Sequence, residues 1–170
     1  MKRMVAVAVA ILLSMLAAPH AKASSAAQAF EKLKALVGDW ELQDPTGRKA
    51  SLHIELVSAN SALLERYLEY GKDGKPIEMI TMYFLDGDDV KLTHYCAAGN
   101  QPTMKGEYSQ ETGLLTFHLV SVTNLKSSDD GHMYHAVYKF IDKDHFVTTW
   151  TLRRQQKDAL SEAQAFVRKR

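Results

Sequence analysis

Downstream of Gly38 the apolar residues recur at every second position, and Gly, Pro, Asn and Asp interrupt the alternation about every ten residues. A period of two sends successive side chains to opposite faces of an extended chain, so each uninterrupted stretch predicts a strand with one buried face. These stretches are residues 39–43, 50–57, 62–70, 76–85, 90–97, 102–108, 114–122, 132–141 and 145–153, with a tenth over 162–168. The tenth contains Glu162, Ala163, Gln164 and Ala165, which also suit a helix, and it is assigned as the closing strand. Ahead of Gly38 the period differs. Phe30, Leu33, Leu36 and Val37 recur at helical spacing, Ser24 or Ser25 is available as a cap, and residues 25–36 are expected to form a short helix that Gly38 ends.

The joints between the strands are short and built from turn residues, the strongest hairpin signals being the Asp-Gly pairs Asp73-Gly74 and Asp86-Gly87. Parallel crossovers need a dozen or more residues, so these strands must run antiparallel to their sequence neighbours. Closure into a barrel removes the exposed edges of such a meander. The expected fold is therefore all-β, an up-and-down antiparallel barrel of about ten strands with a short N-terminal helix. A cone-shaped α+β fold would need two or three N-terminal helices, and only one is available.

Composition adds a location. Lys2 and Arg3 precede an apolar run from Met4 to Leu16, followed by Pro19 and Ala21-Lys22-Ala23. This is the order of a secretory signal peptide, and the run is short for a membrane span. Residues 1–23 are expected to be removed, leaving residues 24–170 as one domain in the periplasm or outside the cell. The whole chain balances 21 Lys+Arg against 20 Asp+Glu, and losing Lys2, Arg3 and Lys22 leaves the mature chain slightly acidic. Nucleic acid and anionic membrane surfaces, which need clustered cations, are not expected partners. The basic end Arg168-Lys169-Arg170 reads as a solvated terminus. Cys96 is the single cysteine, so no internal disulfide forms and the core must supply the stability.

Leu36-Val37-Gly38-Asp39-Trp40 places a Gly-x-Trp at the entrance of the first strand, directly after the helix. This resembles the calycin superfamily, the lipocalins and their relatives. The resemblance implies that Trp40 closes the barrel floor under an arginine from a late strand, with Arg153 or Arg154 in that part. The run from Leu92 to Pro102 resembles secreted bacterial lipocalin-like proteins of uncharacterised function, a resemblance that covers most of the mature chain and implies no activity. The haem-binding branch, the nitrobindins, carries a longer Gly-rich pattern after the Trp. Here Glu41-Leu42-Gln43-Asp44-Pro45 follows instead, so haem ranks below other ligands and no cofactor is expected.

Hairpin register orders the cavity wall. With Gly87-Asp88 as a two-residue loop, Thr81 faces His94, Tyr83 faces Leu92 and Met79 faces Cys96; with Asp73-Gly74 as another, Arg66 faces Thr81. The more apolar face then holds Leu64, Arg66, Leu68, Met79, Thr81, Tyr83, Leu92, His94 and Cys96, while Glu65, Tyr67, Glu69 and Glu78 point outward. An apolar wall with a few polar groups is the usual make-up of a small-molecule pocket. Farther along, His132 and Tyr134 share the more apolar face of their strand with Ala136 and Tyr138. The ligand-binding candidates are thus Arg66, Thr81, Tyr83, His94, Cys96, His132 and Tyr134. His132 and His135, three apart, fall on opposite faces of a strand and form no local metal pair. Cys96 and His94, about 7 Å apart at i and i+2, do not make a nucleophile pair. Gly-x-Ser-x-Gly, His-Glu-x-x-His, Cys-x-x-Cys and Gly-rich phosphate loops are missing. The expectation is an exported barrel, monomeric or weakly dimeric, that binds a small apolar or amphiphilic molecule. Arg66, Tyr83 and His94 would hold the ligand's polar end. An isomerase- or lyase-type enzyme using His94 or His132 is the alternative.

Overall fold

The computed structural model describes residues 24–170; the expected signal peptide lies outside the described residues. Helix α1 (Ser25–Lys34) is capped by the Ser24 side chain, which accepts from the Ala27 N–H at 3.2 Å, and it buries Ala26, Ala29, Phe30 and Leu33. Ten strands follow: β1 (Gly38–Gln43), β2 (Ala50–Val57), β3 (Ala62–Tyr70), β4 (Pro76–Asp86), β5 (Asp89–Tyr95), β6 (Gln101–Tyr108), β7 (Leu114–Thr123), β8 (His132–Phe140), β9 (His145–Arg154) and β10 (Lys157–Arg168). Each pairs antiparallel with its sequence neighbours, and β1 pairs with β10, so the sheet is a closed barrel. The expected fold class is the observed one. β10 begins five residues earlier than its alternation suggests, because Lys157 and Asp158 extend the ladder with Arg154 and Arg153.

Inward-facing side chains form one continuous core in which Trp40, Leu63, Tyr83, Leu92, Met104, Phe117, Tyr138, Phe146 and Phe166 are almost fully shielded from water. Two registers differ from the alternation argument. The β4–β5 hairpin sets Thr81 against His94 and Tyr83 against Leu92, as the two-residue loop requires. The β3–β4 hairpin instead sets Glu65 against Thr81 and Arg66 against Ile80. Its loop has three residues, not two: Gly71 N–H donates to Lys75 O at 2.9 Å, and Gly74 takes the left-handed conformation at φ 76°. That is the hairpin in which a turn is followed by a left-handed glycine. The extra residue turns every β3 side chain over. Leu63, Glu65 and Tyr67 are buried, and Arg66 stands outside in an exposed ion pair with Glu78. In β8 the register slips between Met133 and His135, and this bulge turns Tyr134 outward, where the Arg153 guanidinium lies over its ring.

One end of the barrel is closed. Trp40 is fully buried there, its indole N–H donating to Leu36 O at 2.7 Å and its ring meeting Phe146 edge-on at 4.7 Å. The arginine above it is Arg168, with its guanidinium carbon 4.1 Å from the Trp40 ring centre. Arg168 donates to Ala35 O, Val37 O and Lys143 O at 2.9, 2.7 and 3.0 Å. Arg153 and Arg154 sit at the far end of β9, so the late-strand arginine is the residue that looked like a solvated tail. Gly38 belongs to this arrangement, since its φ is 127° and a Cβ there would stand 2.8 Å from an Arg168 nitrogen.

Arg168→Met is expected to destabilise the protein by about 2 to 4 kcal/mol, the scale for losing several charge-assisted hydrogen bonds together with a cation–π contact. Arg153→Met, which breaks an exposed pair with Asp158 and a contact over the Tyr134 ring but no backbone tie, should cost about 1 kcal/mol. Urea unfolding of both variants checks the difference.

Candidate functional site

The floor takes up the space at one end, and the remaining cavity, about 230 Å³, lies toward the other. At ~30 Å³ per molecule it has room for roughly eight waters. Met79, Met133, Trp150 and Leu152 supply its apolar wall, from β4, β8 and β9. Met133 faces inward because of the bulge that follows it. Glu65 and His94 stand within the wall, while Arg48, Glu69, Leu160 and Glu162 line its mouth.

The polar groups form a chain. Tyr138 and Tyr83 share a hydrogen bond between hydroxyls at 2.5 Å, and Tyr83 donates to Glu65 Oε2 at 2.8 Å. Thr81 is the ladder partner of Glu65. The Thr81 hydroxyl meets His94 Nδ1 at 3.0 Å. At the end of the chain, His94 Nε2 is buried with no partner. The imidazole packs against the Trp150 ring at 5.0 Å.

Burial governs both ionisable members. Desolvation raises the Glu65 carboxyl from 4.5 to about 7, against the opposing hydrogen bonds from Tyr83 and Thr81. Desolvation alone lowers His94 from 6.5 to about 4, so the ring is neutral at ordinary pH. Burial is also the first cause that pushes the Tyr83 and Tyr138 phenols up, with the Glu65 charge adding to it. At the mouth, Arg48 is held by Glu162 at 2.5 Å and by Asp44 at 3.1 Å. Tyr67 donates to Glu69 at 2.8 Å and accepts from Gln164 at 3.2 Å.

The structure brings Thr81, Tyr83 and His94 together inside the barrel. Arg66 is not with them, because the three-residue loop places it on the outer face. Cys96 follows the end of β5, half-buried, where its N–H donates to Asn100 O. His132 is buried beside the turn before β8, with Nδ1 on Asp130 O at 3.0 Å, and does not line the cavity. Tyr134 faces outward. Glu65 is the principal residue that sequence reasoning put on the wrong side, and Trp150 and Tyr138 complete its surroundings. The signal for Glu65 was the glycine pair Gly71 and Gly74, which fits a three-residue loop as well as Asp73-Gly74 fits a two-residue one. Among the described residues no cluster of three or more His, Cys, Asp or Glu side chains is placed to hold a metal ion.

No protein-family model matches the chain, and a search of curated proteins finds no match. Among solved structures, the crystal structure of Rv2717c from M. tuberculosis is similar, with a TM-score of 0.61 at 17% identity over 84% of this chain and 98% of that one. At this identity the likeness is one of fold. A ten-strand antiparallel barrel is consistent with the calycin-type architecture that Gly38-Asp39-Trp40 suggested.

The two shifts act on stability in opposite directions. Glu65 binds its proton more tightly in the folded state, so its contribution is present below pH 4.5 and is lost as pH rises through about 7. His94 binds its proton less tightly when folded, so its contribution is present above pH 6.5 and is lost as pH falls through about 4. Between these limits the two largely cancel. Glu65→Gln removes the first alone and should gain about 3 kcal/mol on the wild type between pH 4.5 and pH 8. Denaturant midpoints of both proteins across that range test this, and a constant difference would refute it.

Proposed function

We propose that this protein binds a small, largely apolar molecule inside the barrel, with the molecule's polar end at His94. The observation that carries this reading is the cavity itself, with Met79, Met133, Trp150 and Leu152 on its wall and His94 and Glu65 as the polar groups within that wall. A polar group on the ligand would be oriented by these two side chains. The four apolar wall residues supply the remaining affinity by burial.

The volume limits the ligand. Pockets for drug-sized molecules usually run from about 300 to 1,000 Å³, and this cavity is smaller. A single ring or short chain fits, and a haem macrocycle does not fit without opening the barrel. A second reading, acid–base catalysis, rests on Glu65, a carboxyl that exchanges its proton near neutral pH beside a neutral imidazole. It requires a substrate turned over by the wild type and not by Glu65→Gln. His132, away from the cavity, has no part in either reading.

The proposal includes export. A mature chain that begins at Ser24 keeps the residue that caps α1. The barrel would then act in the periplasm or outside the cell as a monomer or weak dimer. Nucleic acid and membrane surfaces are not partners in this reading.

Toluene is expected to bind the wild type with a sub-millimolar Kd and to shift the methyl resonances of Met79 and Met133. Leu152→Trp, which fills the cavity, should abolish the shifts, and shifts that persist would place the site elsewhere. For export, N-terminal sequencing of protein from the periplasmic or medium fraction should begin at Ser24. Recovery only from the membrane fraction with Met1 intact would reject the signal-peptide reading.

A further inference from the structure

On the outer face of the barrel, two histidines from neighbouring strands stand directly opposite each other. His118 of β7 and His135 of β8 are ladder partners, and theirs is the last pair of that ladder. Opposed residues of an antiparallel pair carry their Cβ atoms about 4.5 to 5.5 Å apart on one face, so the backbone register alone brings the two imidazoles within reach of each other. Their ring centres are 5.0 Å apart. His118 is exposed and His135 half-buried, and neither is held by a hydrogen bond to another described residue. A metal–nitrogen bond of about 2.1 Å puts each ring centre about 3.2 Å from the ion, so centres 5.0 Å apart fit an angle of about 100° at the metal, as in tetrahedral or octahedral coordination.

The charges around the pair do not oppose a cation. On β6, Lys105 is the ladder partner of His118, its ammonium is engaged by Asp89 at 2.7 Å, and Glu107 follows on the same face. On the other side, the Asp158 charge acts on the His135 imidazole, while one oxygen of that carboxylate accepts from Arg153 at 2.9 and 2.8 Å. Burial, and after it the His118 charge, lowers the proton affinity of His135, and the neutral imidazole is the form that ligates. From the register and the ring separation, we propose that His118 and His135 form a cross-strand chelate for a divalent transition-metal ion of the Ni2+, Cu2+ or Zn2+ kind, with water completing the coordination. Imidazole suits all three ions. No third His, Cys, Asp or Glu joins the pair among the described residues, so the ion exchanges with solution, unlike a structural zinc closed by four protein ligands. The site lies outside the barrel and does not depend on the cavity reading.

The test uses the untagged mature protein with Ni2+ as the probe. Calorimetric titration at pH 7.5 should give one Ni2+ per chain. His118→Ala and His135→Ala should each weaken binding at least tenfold, because each removes one arm of the chelate. His145→Ala, which removes an exposed histidine beside Asp142, should change it less than twofold. At pH 5.5 the wild type should bind at least tenfold more weakly, as protons compete for the imidazoles. Ni2+ should also raise the urea midpoint of the wild type and not of either single-histidine variant, because the chelate exists only where β7 and β8 are paired. If only one of the two substitutions weakens binding, a single imidazole holds the ion and the chelate is refuted. An equal loss in His145→Ala, or no saturable binding below 1 mM, overturns the proposal as well. Proton NMR of the wild type gives a check that does not depend on any variant folding: the ring resonances of His118 and His135 should broaden together, and first, as paramagnetic Ni2+ is added. Earlier broadening at His53 or His145 would place the ion elsewhere and overturn the assignment.

Discussion

The structure depends on how its ends are joined. A meander of antiparallel strands has two edges, and here β1 and β10 remove both by pairing with each other. The junction is held by Arg168, which reaches carbonyls at the end of the helix, ahead of β1 and in the β8–β9 turn while covering the Trp40 ring. One side chain thus ties the first described element, the first strand, a late turn and the last strand. Gly38 is required because a Cβ would occupy the space of that guanidinium. The conformational cost of ordering the long last strand is offset at its very end.

Closing one end determines where space is left. The aromatic side chains Trp40, Phe146 and Phe166 fill the barrel near the floor, and Phe146 stacks on Phe166 at 5.3 Å. Toward the other end the inward positions pass to Glu65, Thr81 and His94, which cannot pack like hydrocarbon and must satisfy one another. They do so in a chain that finishes one bond short. A carboxyl buried at 5% exposure is stabilised there by the Tyr83 hydroxyl, and its raised proton affinity is the sign that this donor only partly replaces water.

The alternation of apolar and polar residues made nine of the ten strands legible to within two residues, because each one has a single buried face and the turns are short. It also made the closed barrel legible, since no other arrangement of ten antiparallel strands leaves so little edge. Where the reading failed, the cause was a count of one. A three-residue loop at Lys72, Asp73 and Gly74 moved β3 by one position relative to β4, and an extra residue at Tyr134 did the same in β8. Neither choice is fixed by local sequence: Asp-Gly serves both loop lengths, and a bulge obeys the packing of neighbouring strands. Arg168 was hidden for a different reason. Its partners are backbone carbonyls, which leave no mark in a sequence.

The single-position slip reversed the sign of the cavity as well as its lining. With Arg66 inside, the barrel would present a cation, and an acidic ligand would follow. With Glu65 inside, the same strand presents a carboxyl, and the nearest arginine, Arg48, is already paired at the mouth. The β4–β5 part of the interior is unchanged, because Met79, Thr81, Tyr83 and His94 come from a hairpin whose register was read correctly, while Leu64 and Leu68 turned over with Arg66 and the wall is completed by Met133, Trp150 and Leu152. The interior is largely apolar in either register, so an apolar body suits both, and the ligand's polar group depends on which register is real. Burial energy is non-directional and tolerates such a slip; hydrogen bonds and charge do not. In a barrel of this kind, the loop that sets the register of one hairpin also decides which chemistry the interior can bind.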